Sequence, residues 1–302
     1  MKKKLALLLA GILVLSMMAG CGKKEEAAAE PAAAETEAAE ETEEAEPAAE
    51  GELAEDVQAI VDRGVLRVGV KNAVPGFGYQ DTLTNEYSGM EIDLAQMIAD
   101  YLGVDVEYTT VTAATRGELL DSGDIDCVLA TFTITEERKE SWDFTTPYYT
   151  DAVTVLVEDA SGIAGLADLV GKTVGVSSGS TSARALVQAM VDAGVVCGDN
   201  FDPETFDAAT WTEDISFQQY DDYPTISTAL SAGEVDAFCV DKSILSIYKT
   251  EGRSYIEEKF SPQEYGIATT KGSGLSALCE ELVTGWLADG TIDGLIAEYG
   301  IE

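Results

Sequence analysis

From residue 65 onward this chain alternates short apolar runs with amphipathic ones, and it does so twice in succession. Residues 65–70 predict a strand, 92–101 an amphipathic helix, 104–111 a strand, 114–120 a helix and 125–132 a buried strand. The last rests on Cys127, Val128, Leu129 and Ala130, an apolar run between Asp126 and Thr131. A second set follows, with strands over 173–177, 216–220 and 235–240 and helices over 181–192 and 224–231. A further strand is predicted over 265–270, then terminal helices over 275–288 and 292–299. Such alternation leads to mostly parallel sheets covered on both faces. The 302 residues suffice for two compact lobes.

The first twenty residues stand outside that pattern. Lys2, Lys3 and Lys4 precede an apolar run from Leu5 to Val14, which reads as a secretory signal over 1–20. Met18-Ala19-Gly20-Cys21 resembles the lipobox of bacterial lipoproteins, with Met18 where Leu is usual; the alternative is an ordinary signal with a coincidental cysteine. Residues 21–52 are almost all Ala and Glu, broken by Pro31 and Pro47, and predict a solvated acidic tether without a core.

Eighteen basic against 56 acidic residues leave a net charge of −38, which repels nucleic acid and anionic surfaces. Any pocketed cluster of Lys and Arg is therefore informative. The chain has no histidine, which excludes Ser-His and Cys-His catalysis and the commonest metal ligand. Cys127, Cys197, Cys239 and Cys279 show no CxxC spacing, so neither zinc nor a redox dithiol is expected; Cys127 and Cys239 read as small buried thiols. No cofactor or metal is expected. Gly171-Lys172-Thr173 mimics the end of a P-loop, but Leu166 stands where the first glycine belongs and the triplet precedes a strand, so it reads as a turn.

The richest segment is 130–149, ATFTITEERKESWDFTTPYY. Thr131, Thr133 and Thr135 bring hydroxyls to the end of a buried strand, where ligands of open α/β sheets collect. Arg138 adds a planar fork suited to one carboxylate. The segment resembles the ITxTxERK…DFSxPYY signature of the polar amino-acid-binding proteins that feed ABC importers, the extracellular solute-binding proteins of family 3. The likeness covers about 53–302. It implies a periplasmic-binding-protein-like type II α/β fold, two α/β lobes joined by two crossover segments. Lobe 1 would comprise 53–147 and 266–302, lobe 2 residues 153–260, and the hinge 148–152 and 261–265. Ligand would lie between the lobes and be buried by their closure. The resemblance also implies cleavage before Cys21, lipid on its sulfur, and an exported monomer held on the extracytoplasmic face of the cell membrane.

An α-amino acid needs a carboxylate receptor, an ammonium receptor and a selector for its side chain. The resemblance carries the carboxylate role to Arg138, Thr133 and the backbone at Thr131. Ser178-Gly179-Ser180-Thr181 matches the family's small-residue turn into a helix, whose free N–H groups suit the same carboxylate; Ser180 or Thr181 acting as a plain helix cap is the alternative. Asp241, after the strand 235–240, matches the family's acidic residue for the ammonium. Lys71 stands where members selecting glutamine or basic side chains carry an acid, and Arg116 adds a second cation. The segments around Lys71, Arg116, Tyr223 and Tyr265 resemble the aspartate/glutamate-binding branch. Lys71, Arg116 and Arg138 against Asp241 complement two carboxylates and one ammonium, with Tyr223 and Tyr265 as wall and hydroxyl donors. Glu91 reads as helix-start chemistry together with Asp93.

The leading expectation is a binding protein, not an enzyme, that captures glutamate or aspartate for the membrane subunits of an ABC importer. Glutamine or a similar polar amino acid is the alternative ligand. A secreted dehydratase acting on prephenate or arogenate is the rival from another class; it needs a proton donor poised over the substrate, and no spare acid is evident in the cleft. A sensory ectodomain is the third.

Overall fold

Two sheets with the same strand order organise the molecule. In the first, Val65–Val70 lies inside the sheet, with Asp105–Thr110 parallel on one side and Cys127–Leu129 parallel on the other. Ala268–Thr270 runs antiparallel beside Cys127–Leu129, and Trp142–Phe144 forms the edge. In the second, Thr173–Ser177 is flanked by Ser216–Tyr220 and Ala237–Asp241, both parallel to it. Antiparallel Tyr149–Glu158 and Arg253–Tyr255 complete the row. The computed structural model describes residues 53–196 and 198–301. The signal 1–20, Cys21, the tether 21–52 and Cys197 lie outside the described residues.

In each sheet the chain runs from its first parallel strand to one neighbour and then returns to the other side. That reversal opens a crevice beyond the carboxyl ends of the first and third parallel strands. One crevice lies past Val70 and Leu129, the other past Ser177 and Asp241. The sheets are joined by two crossings that run together as one ribbon. Tyr149–Glu158 pairs antiparallel with Phe260–Tyr265, from Tyr149 opposite Tyr265 to Ala152 opposite Pro262. This is the expected type II architecture of two α/β lobes and two crossover segments.

Helix Met90–Leu102 shows how sequence sets an element against the first sheet. Leu94, Ala95, Ile98, Ala99 and Leu102 recur at helical spacing and are buried, and Gly103 ends the helix with φ 67°. Gly89 precedes it at φ 129°, and a Cβ there would collide with the Phe77 carbonyl oxygen. Only glycine lets the helix start this close to Phe77.

Two predicted strands are shorter than read. The strand expected over 125–132 spans only Cys127–Leu129, because Thr131 turns into the left-handed region at φ 47°. The strand expected over 265–270 is two strands, Phe260–Tyr265 and Ala268–Thr270. At Gly266 between them a Cβ would come within 2.9 Å of Ile134 Cδ1 and 3.1 Å of the Thr145 oxygen, so the chain changes sheets in space that admits no side chain. Gly171, with φ 76°, forms a turn before strand Thr173–Ser177, as its sequence context implies. Cys127, Cys239 and Cys279 are buried free thiols. Among the described residues no helix is long and apolar enough to cross a membrane, and no group of His, Cys, Asp and Glu is placed to hold a metal.

Candidate functional site

The two crevices face each other, and the candidate residues stand at their rims. Thr135 caps helix Glu136–Ser141, its hydroxyl accepting the Arg138 N–H at 3.1 Å. The cap aims Arg138 back over the preceding loop. Nη1 donates to the Thr133 carbonyl at 2.7 Å, and Nη2 reaches the Gly179 carbonyl of the second lobe at 3.1 Å. The second lobe meets the first closely at this point. Gly179 has φ 73°, and a Cβ would lie 2.8 Å from Ala114 Cα and 2.9 Å from the Ala113 oxygen. Arg184 and Glu137 form an ion pair across the same seam at 3.1 Å. A groove of about 480 Å³ opens there, walled by Arg138, Trp142, Gly179, Ser180, Thr181 and Phe206.

Ser180 and Thr181 precede helix Ser182–Asp192 and neither caps it with its side chain. Thr181 instead donates its hydroxyl to Gln263 Oε1 at 2.7 Å, on the crossing ribbon. Ser180 Oγ is buried without a hydrogen-bond partner among the described residues. A buried hydroxyl in that state costs about 1–3 kcal/mol, which a ligand acceptor would offset.

Lys71 and Arg116 both turn inward, at 4% and 3% exposure. Lys71 follows the first strand directly, and its Nζ lies 5.5 Å from the centroid of the Tyr223 ring in the opposite lobe. Burial, then the neighbouring Arg116, hold its ammonium well below the ordinary lysine range. Arg116 Nη1 donates to the Ala130 and Thr131 carbonyls at 2.7 and 3.0 Å, while its Nε has no hydrogen-bond partner among the described residues. Its Cζ lies 3.9 Å from the Phe132 centroid, and that of Arg138 lies 4.8 Å from the same ring. Phe132 thus carries both guanidiniums, an attraction of about 0.5–2 kcal/mol each.

Asp241 ends its strand at 5% exposure and accepts the Tyr265 hydroxyl at 2.5 Å. Burial, then the nearby Asp151, push its carboxyl up to about 7. Tyr265 is fully buried, packed edge-on to Phe77. Tyr223 opens helix Tyr223–Ala232, whose cap is Asp222, and stacks on Phe238. The structure therefore gathers Lys71, Arg116, Thr131, Thr133, Tyr223, Asp241 and Tyr265 in the buried interior between the lobes. Arg138, Ser180 and Thr181 stand nearer the mouth.

Glu91 lies in the first turn of its helix with Asp93, as expected, but it does more than meet the helix dipole: its exposure is 0%. Its Oε1 accepts the Thr131 N–H at 2.6 Å and the Tyr148 hydroxyl at 2.5 Å. The backbone N–H of Thr131, expected from the resemblance to face ligand carboxylate, is donated to Glu91 here. The signal was present in the sequence, because position 91 falls on the same helical stripe as Leu94, Ala95, Ile98 and Leu102. Phe132 reads from sequence as ordinary strand core, and Tyr148 and Gln263 as parts of the hinge; none of the three is expected there as a site residue.

Residues 66–301 match the bacterial extracellular solute-binding proteins, family 3. The chain belongs to this family. Among family 3 relatives, it is 30% identical over 288 residues to the ABC transporter glutamine-binding protein GlnH of Bacillus subtilis, covering 93% of this chain and 90% of that one. It is 29% identical over 259 residues to the glutamate-binding protein GluB of Corynebacterium glutamicum, covering 80% of each. Among solved structures it resembles the ancestral amino acid-binding protein AncCDT-1, a precursor of cyclohexadienyl dehydratase. The TM-score is 0.66 and the identity 27%, over 82% of this chain and 99% of the other. For a family 3 solute-binding protein, facing strand ends bearing opposite charges are a place to hold a small zwitterion.

Proposed function

We propose that this solute-binding protein captures an acidic amino acid, glutamate or aspartate, between its lobes and delivers it to an ABC importer from a lipid anchor at Cys21. The observation that carries the ligand class is the convergence of Lys71, Arg116 and Arg138 with Asp241 between facing strand ends. Arg138 would take the α-carboxylate together with Ser180, Asp241 the ammonium, and Lys71 with Arg116 the side-chain carboxylate. Each pairing offsets a desolvation cost of several kcal/mol that a buried charge otherwise carries. The glutamate-binding relative supports an acidic ligand.

Glutamine is the second reading, and Glu91 is the observation that favours it. A buried acid beside Lys71 and Arg116 reduces the positive charge left for a ligand side chain. The glutamine-binding relative is consistent with that. A thermal-shift screen of the twenty amino acids on residues 53–302 separates the two readings. The expected outcome is a rise in melting temperature with glutamate or aspartate larger than with glutamine. A response confined to glutamine, or to basic amino acids, sinks the acidic assignment. The dehydratase alternative is tested by prephenate consumption; turnover would establish it.

A further inference from the structure

Glu91 is a fully buried acid beside Lys71 and Arg116 that the ligand-binding scheme above leaves without a task. Its surroundings are specific. Oε1 is taken by the Thr131 N–H and the Tyr148 hydroxyl, while Oε2 has no hydrogen-bond partner among the described residues. Arg116 holds the same stretch of backbone from its other polar groups, donating to the carbonyls of Ala130 and Thr131. Glu91 and Arg116 thus clamp one peptide segment between them and keep Thr131 at φ 47°, a conformation rare for a β-branched residue. The charged and titratable groups facing Glu91 are Lys71, Arg116, Tyr148 and Tyr223.

We propose that Glu91 is a specificity-determining residue that sets the charge of the side-chain end of the cleft and so the choice between a dicarboxylic amino acid and its amide. The inference rests on the acidic or amide ligand reading above. At the side-chain end Lys71 and Arg116 face Glu91, and with Glu91 ionised one positive charge remains there. A side-chain carboxylate then completes neutrality at that end. With Glu91 uncharged, two positive charges remain and the dicarboxylate is favoured over the amide still further. Both ligands carry the same ammonium and α-carboxylate, so Asp241 and Arg138 cancel from the ratio of their affinities. That ratio isolates the side-chain end.

The test is calorimetry of glutamate and glutamine on the full chain and its variants between pH 5 and 8. Glu91→Gln keeps an oxygen acceptor for Thr131 and Tyr148 while removing the charge. It should raise the glutamate-to-glutamine affinity ratio by at least about tenfold at pH 7.5 and flatten its pH dependence. The wild-type ratio should rise as pH falls and Glu91 takes up a proton. Burial, the largest influence on its carboxyl, holds that titration above the ordinary glutamate range. Tyr148→Phe, which removes a hydrogen bond to the charged form, should move the rise to higher pH. If Glu91→Gln weakens both ligands equally and leaves the ratio and its pH profile unchanged, Glu91 is purely structural and the inference falls while the function stands. If wild-type protein binds neither ligand, the function reading falls and takes this one with it.

Discussion

Arg138 joins three parts of the site at one guanidinium: the Thr133 carbonyl, the Phe132 ring and, across the cleft, Gly179. Its replacement by Ala is expected to abolish binding of every amino acid, since truncating one partner of a buried charge pair costs about 2–5 kcal/mol. Near-wild-type affinity by calorimetry would put the pocket elsewhere. Lys71 makes a contrasting prediction. Its ammonium is desolvated and faces an aromatic ring, with no carboxylate in ion-pair contact among the described residues. Lys71→Met should leave the ligand-free protein as stable or stabilise it by about 1–4 kcal/mol. The same change should weaken acidic ligands far more than neutral ones; denaturant titration and calorimetry read the two effects separately.

Asp241 gives a pH dependence whose sign follows from burial. Its folded pKa of about 7 lies above the ordinary aspartate value, so the ligand-free fold binds the proton more tightly than the unfolded chain. Its contribution to stability is therefore greatest below the unfolded value and is lost as pH rises from about 4 to 7. A ligand ammonium favours the ionised carboxylate and reverses the preference. Affinity should rise with pH up to about 7, by at most tenfold per pH unit, and level off above it. Calorimetry in buffers of different ionisation enthalpy should count a released proton at pH 6, and Asp241→Asn should abolish that release.

At the scale of elements, the loops matter more than the strands and helices they connect. Thr135 caps the six-residue helix that carries Arg138, and Thr135→Ala should cost about 0.5–2 kcal/mol of stability. It should also weaken ligand binding without touching ligand, because an uncapped short helix no longer aims the guanidinium. Gly179 is the sharper case. Its positive φ alone makes Ala unfavourable by about 1 kcal/mol in the folded protein, with or without ligand. A Cβ there would also collide with Ala113 and Ala114 of the facing lobe, a clash that separation of the lobes would relieve. Gly179→Ala should therefore lower affinity at least tenfold while lowering the melting temperature of free protein by only a few degrees. Equal loss in both measurements would mean that the turn, not closure, is at fault.

For the whole molecule, binding energy adds to the stability of the folded state. A ligand that binds only the folded state contributes about 2.7 kcal/mol at a hundred times its Kd, worth roughly 5–10 °C for a domain of this size. Much of this design was legible in the chain. Two rounds of strand and helix announced two open α/β lobes, since apolar periodicity reports which faces are buried. Thr131, Thr133 and Arg138 at a strand end announced a site, because such ends are where backbone groups stay free. What local patterning does not report is which side chains from distant segments share one dielectric interior. Glu91 meets Thr131 and Tyr148 across forty and 57 positions of sequence, and Lys71 meets Tyr223 across the cleft. Whether an acid near a helix start is solvated or buried is decided by what packs over it. Here Gly89 seats the helix start against Phe77, and only tertiary packing turned Glu91 from a dipole partner into part of the charge balance.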